Sequence, residues 1–256
     1  MNEHIDMKIS GSSSMPGGEY RRVSISGAGK VQGSLKCEEL HCSGAAKVQG
    51  DVDCAGELHT SGAAKVFGSA RCGSLSSSGA FSAQSVQVEG LASVSGSLRT
   101  EQALTADELR ASGSLEAGSV HCRALRSSGS CRVNGDVEAE TAVLSGAVQI
   151  GGLLNAETVE ISVNPAVHIS AIGGGTIRVL QKDTTTFLGI FRTSPGCACI
   201  GSIEGDNIEL ENVEAEIVRG KYVRIGHGCR IGTVEFGENL EAEPGTVGHS
   251  TQTGTK

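Results

Sequence analysis

Nine cysteines, seven histidines and 29 acidic residues in a chain of 256 are the raw material for thiol, metal or acid–base chemistry, and their spacing decides whether it can be used. Cys37, Cys54 and Cys72 recur at a nearly constant step, and Cys122 holds the same place in a later unit. Ala106, Ala139 and Ala156 stand at equivalent positions. A place that accepts Cys or Ala is a small, buried, apolar column, whereas a metal site needs convergent ligands and does not tolerate Ala. No CxxC pair is present, and the expected state is the free thiol, with no disulfide scaffold. The CxC of Cys197 and Cys199 stands apart from any other ligand cluster and reads as a surface loop or corner. Gly173, Gly174 and Gly175 precede TIRV, with no helix bearing Lys-Ser or Lys-Thr, so they form a tight corner and no phosphate cradle. In IGHGCRIG, residues 225 to 232, a six-residue Ile-Gly spacing with His227 as a base would suit a hexapeptide acyltransferase, but it occurs once and spacing assigns His227 no acidic partner. Lys30, Lys47 and Lys65 share a column and mark a solvated face, with binding of an anionic surface as the alternative.

The elements that carry these residues follow from an internal repeat. Ser-Gly begins at Ser26, Ser43, Ser61, Ser78, Ser95, Ser112, Ser128 and Ser145, in steps of 17, 18, 17, 17, 17, 16 and 17. Within each unit apolar and polar residues alternate with a period of two, the signature of strands. Seventeen residues split into three short strands and three corners, one turn of a triangular parallel β-helix. Rungs then stack ~4.8 Å apart and each template column becomes a ladder of like residues. Gly27, Gly33, Gly44, Gly50, Gly62 and Gly68 are expected at corners that need positive φ or leave no room for a side chain.

The expected organisation is a disordered tail over 1–20, a regular β-helix over 21–161, a diverged β-helical segment over 162–240 and a polar tail over 241–256. An inserted loop or hairpin near 180–200 interrupts the diverged segment. Its period is taken from Ile208 and Ile225, and from Ile217 and Val234, each pair one full repeat apart. The composition fits: 37 glycines, no Trp and only five Phe and two Tyr demand a narrow interior of small and β-branched side chains. A net charge of −8 without a basic run argues against nucleic acid as a partner. The acidic, polar N-terminus is no secretory signal and no long apolar run occurs, so a cytoplasmic location is expected.

The glycine-rich rungs, with KVQGDV and its neighbours, and the block EGDNIELENVEAEIVRGKYVRIGHGCRIGTVEF together resemble the bactofilins, bacterial polymer-forming cytoskeletal proteins, in their longer two-segment form. The resemblance spans most of residues 8 to 240. It implies a right-handed β-helix that polymerises end to end without nucleotide, needs no cofactor and is no enzyme. The implied product is filaments or sheets that scaffold cell shape, envelope or motility machinery. Implied partners are the chain itself, related bactofilins, and envelope or motility proteins, with at most indirect membrane association and clustering near the membrane. Independently of the resemblance, an uncapped β-helix leaves unpaired N–H and C=O groups at each end, and such edges pair with another chain. The candidate ends are the first rung, with Tyr20, Val23, Ile25 and Val31, and the last, with Tyr222, Val223, Val234 and Phe236. Residues 1 to 20 or 241 to 256 could cap those ends. A hexapeptide-type acyltransferase and a monomeric β-solenoid adaptor are the other readings.

Overall fold

A computed structural model of the chain describes residues 5–164, 166–181 and 196–253. These residues hold 24 strands and no helix, arranged as a parallel β-solenoid of about 14 turns with rungs roughly 17 residues apart. The chain divides into two compact units, residues 1–124 and 125–256. The division falls inside the regular repeat and not at residue 161, where the Ser-Gly marker ends.

One rung of the first unit shows the logic. Glu39–Cys42, Ala45–Val48 and the start of Val52–Thr60 form three sides. Along them Leu40, Cys42, Ala46, Val48, Val52 and Cys54 point inward and are all buried. Ser-Gly makes the corner between the first two sides. A Cβ on Gly44, Gly62, Gly79, Gly96 or Gly113 would lie about 2 Å from the glycine carbonyl oxygen one rung below. These corners therefore require Gly because backbone meets backbone, whereas positive φ applies at Gly33 (φ 114°). Register is in phase over successive rungs: Lys30 opposite Lys47, Lys47 opposite Lys65, and His41 opposite His59.

The second unit is built on the same plan with longer strands, such as Ala147–Ser162 and Val213–Ile225. Its interior is aliphatic and β-branched: Ile150, Ile169, Ile200 and Ile231 line one side, all buried. Here the pairs expected one full repeat apart do not stack. Ile208 lies opposite Val223, two positions short of Ile225, and Ile217 lies opposite Thr233, one position short of Val234. Ile225 stacks instead on Leu210. Ile208 and Ile225 thus belong to two different interior columns, because the rungs shorten while the two-residue alternation survives. Strand Val167–Leu180 pairs with Ala198–Leu210, with His168 opposite Cys199, so the insertion interrupts the sequence but not the ladder. Most of the loop or hairpin expected near 180–200 falls on residues 182–195, which lie outside the described residues; at its margins Leu180 ends one strand and Ala198 to Ile200 begin the next.

The expected tails are strands where they are described. Met7–Ile9 pairs with Arg22–Ile25, and Ser12–Glu19 pairs with Ala28–Cys37. Ile9 and Met15 fill the interior at 4% exposure each, so two apolar side chains suffice where backbone pairing holds the rest. Val247–Gln252 likewise pairs with Arg230–Ala242. These segments extend the ladder as further rungs.

Candidate functional site

The thiol column forms as predicted. Cys37 lies opposite Cys54 and Cys54 opposite Cys72, and all three are buried, as is Cys122. Val88 faces Cys72 on the next rung, so the column admits a branched aliphatic residue too. The Cys37 thiol donates to Cys54, which with burial pushes Cys37 up and, against burial, pulls Cys54 down. Burial raises Cys72 to about 12. These are packing groups in a neutral interior. Three further thiols, Cys42, Cys131 and Cys229, are equally buried. The signal for Cys42 is its place just before Ser-Gly, shared with Thr60, Ser77, Val94 and Ala111, a second interior column.

The other chemical candidates lie at separate places on the rungs. Among the described residues no group of three or more His, Cys, Asp or Glu side chains could hold a metal ion. His227 is exposed, and its ring Nε2 lies 3.3 Å from the amide Nδ2 of Asn212. Asn212 is a corner residue with φ 52°, 6% exposed, that also donates to Gln181 Oε1 at 2.7 Å. A Cβ on Gly228 would fall 2.1 Å from Asn212 Oδ1, so the Gly is fixed by this corner. The HGC segment thus closes a turn. Gly173 to Gly175, expected as a tight corner, lie within strand Val167–Leu180, where a Cβ on Gly174 would meet Ala156 O at 2.1 Å.

Cys199 is exposed, and it lies in an outward ladder between His168 and Glu214. Cys197 is half-buried, with its thiol raised by burial first and by the neighbouring Cys199 second. The ladder borders an open groove of about 900 Å³, floored by glycines that include Gly151, Gly201 and Gly232. Arg230 follows Glu214 in the same ladder and pairs with it at 2.8 Å.

The eight residues named as polymer ends are not at the ends. Val23, Ile25 and Val31 are 0% exposed, each with a partner on both sides: Val23, for instance, lies between Met7 and Leu40. Tyr20 donates through its hydroxyl to Pro16 O at 3.2 Å. Val223 and Val234 are buried opposite Leu240 and Ser250, and Phe236 lies opposite Gln252. Tyr222 is 45% exposed on the outer surface, where its hydroxyl donates to Glu238 and its pKa is raised by that contact. The end positions pass instead to Met7–Ile9 and Ser12–Glu19 in the first unit and to Val247–Gln252 in the second. Among the described residues each of these strands has a partner on one edge alone. Their backbone groups on the other edge point away from the ladder, the geometry that accepts another strand.

No family model matches the chain. Two curated proteins of Bacillus subtilis (strain 168) are similar to it: uncharacterized protein YhbF, 39% identical over 94 residues, and uncharacterized protein YhbE, 36% identical over 110 residues. The matches take in 36% and 42% of this chain, and span 38% and 44% of the relatives' own length. No solved structure matches. No helix among the described residues is long and apolar enough to cross a membrane.

Proposed function

We propose that the chain is a cytoplasmic structural protein that self-assembles end to end through its open β edges, without nucleotide or cofactor, into filaments or sheets that scaffold other machinery. The observation that carries this reading is the one-sided pairing of Met7–Ile9, Ser12–Glu19 and Val247–Gln252, three edges with no strand or helix over them among the described residues. Unpaired strand edges accept another chain unless they are blocked. The final strand is exposed along nearly its whole length, unlike the interior ladders, and so presents backbone as well as side chains. The likeness of the rungs to bactofilins supports the same reading.

Negative-stain electron microscopy of the purified full chain, without nucleotide and across protein concentration and salt, tests this. Filaments or sheets are expected, and Ser250→Pro, which takes a backbone donor from the last strand, shortens or abolishes them with an unchanged circular dichroism spectrum. Monodisperse particles under every condition would favour a monomeric adaptor.

A further inference from the structure

We propose that the Lys30, Lys47 and Lys65 ladder of the first unit is a docking face for an anionic lipid surface. The inference goes beyond the assembly reading and stands whether or not the chain polymerises. The three lysines are exposed and in register on consecutive rungs, about 5 Å apart. Ser14 precedes them and Ser82 follows them in the same column. Beside this column runs a second outward one of Ala28, Ala45, Ala63 and Ala80. Across these rungs the face carries no carboxylate, in a chain with 29 acidic residues against 21 basic.

The contrast with the neighbouring side of the same rungs is direct. There the outward column alternates Glu19, Lys36, Asp53 and Arg71, with Lys36 Nζ paired to Glu19 at 3.1 Å. Arg22 likewise pairs with Glu39 one rung on, at 2.7 Å. A ladder that stacks like charges forgoes that stabilisation and gains from an external anion. Small alanines beside the lysines leave nothing standing between the charges and a flat surface. At the rim Phe67 is 49% exposed, with Lys65 Nζ 4.9 Å from its ring centroid. An exposed aromatic ring beside lysines suits the headgroup boundary of a bilayer and gains nothing from a hydrated linear polyanion, which is why the lipid surface is the assigned occupant.

The test is flotation of the full chain with vesicles of phosphatidylcholine, with and without phosphatidylserine, beside sedimentation without vesicles to report assembly separately. Binding is expected with the anionic vesicles alone and weakens as salt rises. Each lysine contributes roughly fivefold, so Lys30→Gln/Lys47→Gln/Lys65→Gln weakens partition on the order of a hundredfold, while the matching Lys→Arg triple variant retains it. Phe67→Ala weakens it further without changing the salt dependence. Melting by circular dichroism checks that the variants fold. Unchanged flotation of the folded Gln variant, or capture of the wild-type chain by immobilised polyphosphate without any vesicle binding, would overturn the proposal. Loss of sedimentation with flotation retained would count against assembly and leave the lipid face standing.

Discussion

Between Leu40 and Ala106 the interior of the first unit is built of one or two large residues per rung among small ones, as in Leu58, Thr60, Ala64, Val66, Ala70 and Cys72. Between Leu154 and Val234 the second unit fills the same three-sided interior with Ile and Val and carries glycine where a side chain would overfill it. At Gly205 a Cβ would lie 2.6 Å from Gly174 O and 2.9 Å from Ile177 Cδ1, and at Gly220 2.9 Å from both Ile208 Cδ1 and Val223 Cγ2. Both solutions conserve volume per rung more than identity per column, since a parallel ladder fixes the cross-section and close packing tolerates neither voids nor overlap. The first unit can therefore repeat a cassette of nearly fixed length, while the second changes rung length and keeps only the alternation.

The sharpest expected difference between the units is thiol reactivity. Burial lifts Cys72 from 9.0 to about 12, which leaves on the order of a thousandfold less thiolate at neutral pH than an unshifted thiol has. Alkylation of the native chain followed by mass spectrometry should label the exposed Cys199 first and Cys72 after unfolding. Because the folded pKa is raised, the neutral thiol's contribution to stability is complete below pH 9 and is lost as pH rises from there to about 12. Rapid native labelling of Cys72 would mean that the first unit opens locally. Next in size is Phe81, the largest fully buried side chain among the described residues, stacked between Ala64 and Leu98. Phe81→Ala is expected to cost about 4 kcal/mol in urea unfolding, against about 1 kcal/mol for Ile203→Val in the second unit, where the neighbours in the column are Ile172 and Val218.

The rungs, the thiol column and the lysine ladder are legible in the sequence because each depends on local alternation and on a nearly fixed step between Ser-Gly corners. The ends are not legible. Ser12–Glu19 is Ser- and Gly-rich, and reads as disorder until its backbone is seen paired with Ala28–Cys37. Pairing of that kind is a property of two segments, invisible in either alone. The register of the second unit is hidden for a related reason: one matching interval between Ile208 and Ile225 carries no information once the step itself varies from rung to rung. The hidden pairing also displaces the candidate ends from Val23 and Val234, which are buried, to the outermost strands.

Corner glycines allow the comparison to be broken at the backbone. Gly62→Ala places a Cβ 1.9 Å from Gly44 O, so the rungs must separate. About 3 kcal/mol is expected to be lost. Gly245→Ala in the second unit meets nothing within 4 Å and pays for φ 83° alone, about 1 kcal/mol. Equal costs would show that corner strain, and not close approach, selects glycine. A smaller effect of opposite sign is expected at Ser127, 4% exposed, whose hydroxyl faces only the Cys131 thiol, a weak partner. Ser127→Ala should therefore stabilise by up to about 1 kcal/mol, and a loss would mean that the hydroxyl is satisfied after all.

The smallest effect separates the outer ladders. Lys47 and Arg230 occupy the corresponding outward position in the two units, but Lys47 stacks between Lys30 and Lys65, whereas Arg230 pairs with Glu214 at 2.8 Å. At low salt Lys47→Gln is expected to raise the urea midpoint, with a gain in stability of about 0.3 kcal/mol, because it removes two like-charge contacts. Arg230→Gln should lower it by a similar small amount. Both differences should fade at about 1 M salt, where the screening length falls to about 3 Å, shorter than the rung spacing. If Lys47→Gln lowers the midpoint as Arg230→Gln does, the lysine ladder is not under electrostatic stress in the free protein, and its charge would then bring an anionic surface no relief of strain, leaving direct attraction as the whole of its contribution.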